Sequence, residues 1–180
     1  VASSHENLIK FCRSCQRDQG ILAGPKAIQF AQFTFDASVG ETFAVLLAGA
    51  DLHLLGDELI QNPDAVGQYL RDNNISFAAF PPPYLEQIPV DYLPAELTLV
   101  TAGSAPGLEW VRVWGERCRY INAYGPTETT ILSSCWHFDG EAIRKNTLPI
   151  GSPIANTQLY VVDQYNQLCP PGVIGEILIG

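Results

Sequence analysis

The chain has 180 residues, of which 47% are hydrophobic and 16% charged, a composition that excludes most disordered, collagen-like and coiled-coil architectures. Lys and Arg number 10 against 19 Asp and Glu, for a net charge of −9. With no Lys/Arg cluster, neither nucleic acid nor an anionic membrane surface is an expected partner.

In chain order, Ser3 or Ser4 precedes a helical pattern from His5 to Gln19 and is placed to cap it. Gly20, Gly24 and Pro25 break that pattern. Ala27–Phe33 reads as a strand and Ser38–Ala48 as a helix, with Ser38 and Glu41 spaced as a capping box. Asp51–Leu55 is a second strand. Asn62 and Pro63 open a helix to Asn73. Ile75–Phe80 is a third strand, ended by Pro81–Pro82–Pro83, and a short helix to Gln87 follows. Leu97–Thr101 and Tyr120–Ala123 are strands on either side of a helix from Pro106 to Cys118. Strands alternating with helices predict an α/β fold with a mostly parallel βαβ sheet flanked by helices. After Thr147 the helices stop. Gln158–Val162 and Glu176–Ile179 are joined only by a Pro/Gly-rich loop, which predicts antiparallel pairing and the start of a small β-barrel-like subdomain. The expected division is 1–147 and 148–180.

The chain contains no methionine and opens on Val1, which reads as a processed product or an internal piece of something longer. No signal peptide is visible, and the longest apolar run, Phe43–Ala50, is too short to span a bilayer. The five cysteines are scattered. Cys12 and Cys15 form a CxxC inside a helical pattern, where one apolar helix face is the reading favoured over a redox pair. A reducing cytosol is the expected compartment.

Ligands of open parallel sheets bind at the carboxyl ends of the strands, and three loops there carry suitable residues. In Phe35–Asp36–Ala37–Ser38, Asp36 sits among apolar neighbours. It is either an Asx turn bonded to its own backbone or an anchor for a substrate cation. Thr101–Pro106 is built of small residues that let a ligand approach the backbone, although an ordinary strand-to-helix turn has the same composition. Asn122–Thr130 combines an amide, an aromatic ring, a Gly-Pro turn, hydroxyls and a carboxylate. That set suits a base edge, a base face, phosphate oxygens and Mg²⁺, and equally a solvated turn. The chain has no GxGxxG, Walker-type phosphate loop or GxSxG elbow.

Tyr120–Ile131, YINAYGPTETTI, resembles the nucleotide-binding signature of adenylate-forming enzymes, and more narrowly the adenylation domains of nonribosomal peptide synthetases. Phe35–Glu41 (FDASVGE) resembles their amino-acid-binding segment, and Leu99–Ala105 (LVTAGSA) a third. Pro149–Asp163 and Pro171–Gly180 resemble segments leading into their small β subdomain. The family's Ser/Thr/Gly-rich phosphate loop, ribose-binding aspartate and catalytic lysine are not among the 180 residues. The resemblance therefore implies an internal fragment that does not turn over alone.

By resemblance, the parent is an ATP-dependent ligase. It would form an aminoacyl-adenylate and load a phosphopantetheine-bearing peptidyl carrier protein within a multidomain synthetase. Asn122 would bond the adenine edge and Tyr124 stack on its face, with Gly103 and the Ala123 backbone beside the nucleotide. Thr127 would contact the α-phosphate and Glu128 would hold Mg²⁺; these two carry the catalytic role. Asp36 would pair with the amino acid's ammonium. Ala37, Gly40, Ala79, Val100, Ala102, Ala123, Ile131 and Leu132 would line the side-chain pocket. All are apolar and most are small, with Gly40 and Ala79 leaving room, so a large hydrophobic or aromatic amino acid is expected. The alternatives are an adenylate-forming ligase for acyl or aryl acids and a domain that only binds nucleotide.

Overall fold

The computed structural model describes residues 1–21 and 25–180; Gly24, one of the expected breaks, lies outside them. The chain runs α1 (His5–Asp18), β1 (Lys26–Gln29), α2 (Asp36–Leu46), β2 (Asp51–Leu54), α3 (Asp57–Ile60), α4 (Pro63–Asp72) and β3 (Phe77–Phe80). It continues through α5 (Pro82–Leu85), β4 (Thr98–Thr101), α6 (Leu108–Arg117), β5 (Arg119–Tyr124), β6 (Ser134–His137) and α7 (Glu141–Arg144). Last come β7 (Ser152–Pro153), β8 (Leu159–Val162) and β9 (Glu176–Ile179).

The first seven strands form one sheet in the order β2-β1-β3-β4-β5-β6-β7. β2 through β5 are mutually parallel, as the alternation of strands and helices requires. Helix starts follow local capping chemistry. Ser4 Oγ accepts from the Asn7 N–H at 3.1 Å, and Asn62 Oδ1 accepts from the Ala65 N–H at 3.2 Å with Pro63 at the first helical position.

Strand periodicity divides the core. Ala78, Phe80, Leu99 and Tyr120 pack with Val66, Leu70, Val111 and Trp114 of α4 and α6. Ala27, Phe77, Val100, Ile121 and Ala123 pack with Phe11, Cys12 and Cys15 of α1 and Ala44 and Val45 of α2. Side chains two apart on a strand share a face, and both faces of the sheet are covered, as parallel sheets demand. The CxxC is therefore part of a buried helix face, with both thiols free.

Four expectations are corrected. β1 stops at Gln29 rather than Phe33, because the backbone N–H groups of Phe30 and Ala31 donate to the Glu41 carboxylate at 3.0 and 2.9 Å instead of to a strand. α2 starts at Asp36, so Ser38 and Glu41 are not a capping box. Ser38 Oγ donates to the Phe35 carbonyl at 2.7 Å. Antiparallel pairing begins at β6, which pairs with β5 from Ile121↔His137 to Tyr124↔Ser134, well before Thr147. Finally, β7 adds a short edge strand at residues 152–153, where the sequence predicts none. The short, non-alternating stretches of β6 and β7 carried no periodic signal. A two-stranded antiparallel sheet of β8 and β9 follows, Leu159 opposite Ile179.

Candidate functional site

From β1 the chain passes through α2 to β2 on one side, and later returns to place β3 on the other side of β1. The strand order reverses there, and the crevice at the carboxyl ends of β1 and β3 is the place where such sheets bind ligands. Asp36 opens α2 beside this crevice, in its first turn. Its Oδ2 is buried and has no hydrogen-bond partner, and none of the ion pairs among the described residues includes it. A buried carboxylate oxygen is costly to leave alone, and a donor from outside the chain could pair with it. The Asx-turn reading is not realised at Oδ2.

Most of the pocket residues read from the sequence converge. Ala79 and Val100 are register partners on β3 and β4. Ala102 and Ala123 follow at even spacing, so all four share the face covered by α1 and α2, in one apolar cluster with Ile131 and Leu132. Gly40 is buried on α2. Its open direction is not empty, since a Cβ there would stand 3.1 Å from ring atoms of Phe11 and 3.3 Å from Ile131 Cδ1. Ala37 is exposed and does not join the cluster.

The loop after β5 folds back on itself. Thr127–Thr129 form a single 3₁₀ turn, and the Ser133 N–H donates to the Tyr124 carbonyl at 2.7 Å. At Gly125 a Cβ would lie 2.4 Å from Leu132 Cα, so only glycine lets the returning strand pass. Thr130 and Ile131 both adopt left-handed backbone, with φ of 67° and 75°. That is strain a β-branched residue rarely carries and is characteristic of functional loops. The loop leaves Tyr124, Thr127 and Glu128 exposed. Asn122 is buried, and its Nδ2 donates to the Pro149 carbonyl at 2.9 Å, leaving one N–H and its oxygen. Gly103, after β4, has φ of 88° and no atom within 4 Å of where a Cβ would be, an open approach to the backbone.

Among the described residues no group of three or more His, Cys, Asp or Glu is placed to hold a metal ion. A divalent cation here would take one carboxylate, Glu128, and fill its shell from a ligand's oxygens and water, a coordination that suits Mg²⁺.

Two residues of the site were not anticipated in these roles. Glu41 Oε2 accepts from Phe30 N–H, Ala31 N–H and Gln29 Nε2, the last at 3.3 Å, and so ties α2 to the end of β1. Burial pushes its carboxyl up to about 7, opposed by those hydrogen bonds. Phe11 of α1 lies against Gly40. Sequence spacing carries no signal for either contact, since each depends on how α1 and α2 settle on the sheet.

The profile of the AMP-binding enzyme family matches residues 1–180. Tyrocidine synthase 1 of Brevibacillus parabrevis is 36% identical over 176 residues, 98% of this chain and 16% of that protein. Gramicidin S synthase 1 of Brevibacillus brevis is 42% identical over 152 residues, 84% of this chain and 14% of that protein. A holo four-domain nonribosomal peptide synthetase bound to AMP and glycine has the same fold, with a TM-score of 0.87 at 29% identity over 98% of this chain and 13% of its own. A second synthetase, in a form bound to α-methyl-L-serine-AMP, gives a TM-score of 0.88 at 25% identity, over 99% of this chain and 21% of its own. The chain thus spans a small part of each relative, and it belongs to the AMP-binding enzyme family, in the group of nonribosomal peptide synthetase adenylation domains.

Proposed function

We propose that these residues form the central part of an adenylation domain that activates an amino acid with ATP. The observation that carries this reading is the unpartnered Asp36 Oδ2, buried at the first turn of α2. An α-ammonium supplies the missing donor there. A plain carboxylic acid does not.

In this reading Asp36 holds the ammonium, and the carboxylate of the same molecule faces the Thr127–Glu128 turn. A carboxylate oxygen attacks the α-phosphorus of ATP. The new O–P bond forms as the bond from that phosphorus to the bridging oxygen breaks, and pyrophosphate leaves with the electron pair. The Thr127 hydroxyl donates to an α-phosphate oxygen. Tyr124 offers its exposed ring to the adenine, Asn122 its remaining amide valences to the base edge, and Gly103 and Ala123 their backbone. Glu128 would hold Mg²⁺, which would supply neutralisation of the charge that builds on the phosphates. Catalysis of this kind is mainly positioning and electrostatics.

Ala79, Val100, Ala102, Ala123, Ile131 and Leu132 form an uncharged lining that rejects charged side chains, and its three alanines leave width for a large apolar or aromatic one. Residues 1–147 act as the central α/β unit and 148–180 as the start of the small β subdomain. The relatives support a multidomain synthetase in which the acyl group passes to a carrier protein's phosphopantetheine thiol. The free thiols accord with a cytoplasmic setting. The 180 residues alone do not turn over, since the family's phosphate loop, ribose aspartate and lysine are not among them.

The test is ATP–pyrophosphate exchange by the adenylation domain that contains this chain, driven by an amino-acid panel labelled with ¹⁸O in the carboxylate. Amino-acid-dependent exchange, with one label found in AMP after thiol transfer, is expected. Exchange driven equally well by des-amino acids contradicts the amino-acid reading. ATP binding without exchange leaves only a nucleotide-binding domain.

A further inference from the structure

The side-chain pocket has a wall that none of its matched residues supplies. Gly40 lies within α2 and has no positive φ, so its own backbone does not require glycine. The constraint is on the space beside it. A Cβ at 40 would meet Phe11 Cε1 and Cζ at 3.1 Å and Ile131 Cδ1 at 3.3 Å. The room that a larger residue at 40 would fill is taken by a ring from α1.

Phe11 is 5% exposed. It also lines a cleft of about 220 Å³ together with Leu132, Thr130 and Ile154, while neither Gly40 nor Ile131 lines it. The ring and Leu132 thus border both the pocket residues and the cleft, and the ring stands directly against Gly40.

We infer that Phe11 is a specificity-determining residue that sets the depth of the amino-acid side-chain pocket. The inference rests on the amino-acid-activating reading above. A smaller residue at 11 joins pocket to cleft and admits longer side chains. A Cβ at 40 presses the ring toward the cleft or shortens the pocket, and shorter side chains gain. One methylene in an apolar pocket changes kcat/KM by roughly 10–200-fold, so the effect is readable.

The experiment measures exchange kcat/KM for an unbranched series of norvaline, norleucine and 2-aminoheptanoate, with ATP KM as the control for an intact nucleotide site. It uses the adenylation domain containing this chain, as wild type, Phe11→Leu, Gly40→Ala and the double variant. Phe11→Leu is expected to shift the ratio of longest to shortest substrate upward by about tenfold or more. Gly40→Ala shifts it downward, and the double variant returns toward wild type. Unchanged ratios in every variant, with ATP KM also unchanged, overturn the role of Phe11 and leave the amino-acid reading standing. Absence of amino-acid-dependent exchange in the wild type removes the reading itself, and the inference with it. Should Phe11→Leu not fold, Gly40→Ala carries the test alone, because alanine is favoured over glycine within a helix.

Discussion

The Glu41 carboxylate on α2 accepts the backbone N–H of Ala31, ten residues earlier, at 2.9 Å. The Phe30 N–H reaches the same oxygen. One side chain thereby ends β1 and fixes the start of the helix that carries Asp36.

Replacing Glu41 by Ala leaves two N–H groups without their acceptor, each costing about 1–3 kcal/mol if buried. Urea unfolding of the adenylation domain is expected to show that loss, with a raised amino-acid KM. Glu41→Gln keeps a carbonyl acceptor and retains most of both.

The same residue gives a pH dependence. Its carboxyl lies at about 7 in the fold against an ordinary 4.5, so between those values the folded chain holds a proton that the unfolded chain has released. Its contribution is therefore greatest at low pH and is lost as pH rises through 7. Relative to wild type, Glu41→Gln should gain on the order of 1–3 kcal/mol of stability between pH 5 and pH 8. A difference between the two that does not change with pH contradicts the buried carboxyl.

Gly151 (φ 86°) would place a Cβ 1.9 Å from the Cys135 carbonyl oxygen, and Gly125 would place one 2.4 Å from Leu132 Cα. Both obstacles are backbone and cannot swing aside. Gly125→Ala is expected to displace the 125–133 loop and raise the KM for ATP together with that for the amino acid. Gly151→Ala is expected chiefly to lower the melting temperature by separating β7 from β6. Activity of Gly125→Ala equal to wild type contradicts the folded-back loop.

Burial pushes the thiols of Cys118 and Cys135 up to about 12 and about 11, and that of Cys15 well above 9. Thiolate is the reactive form. Cys169 is the partly exposed member of the five, so alkylation of the native protein followed by peptide mapping should label Cys169 first. Early labelling of Cys12 or Cys15 contradicts the buried helix face.

What the sequence reveals and what it leaves hidden divide along physical lines. The 3.6-residue spacing of Phe11, Cys12 and Cys15, the Asn62–Pro63 start and the alternating strands of β3, β4 and β5 are local signals, and each predicts its element. Glu41 illustrates the converse. Its spacing from Ser38 imitates a capping box, but the helix begins two residues earlier and the carboxylate turns to another loop. β6 and β7 stay hidden because Ser134–His137 and Ser152–Pro153 are strands only by virtue of the sheet edge they join. In the site, the family resemblance names Ala79, Val100, Ala102 and Ala123, and their even spacing on parallel strands brings them to one face of the sheet. The closure of Gly40 by Phe11 depends on helix packing across roughly thirty residues of chain and has no counterpart in local pattern.

The central claim is that Asp36 is the anchor for a substrate ammonium, and a two-by-two comparison tests it most directly. Wild type and Asp36→Ala are each assayed for exchange kcat/KM with the preferred amino acid and with its des-amino counterpart. Breaking a buried charge pair costs about 3–5 kcal/mol, roughly a hundred- to several-thousand-fold. The account predicts a loss of that size for the amino acid on substitution and little change for the des-amino acid. Equal losses for both substrates, or none for either, would contradict it.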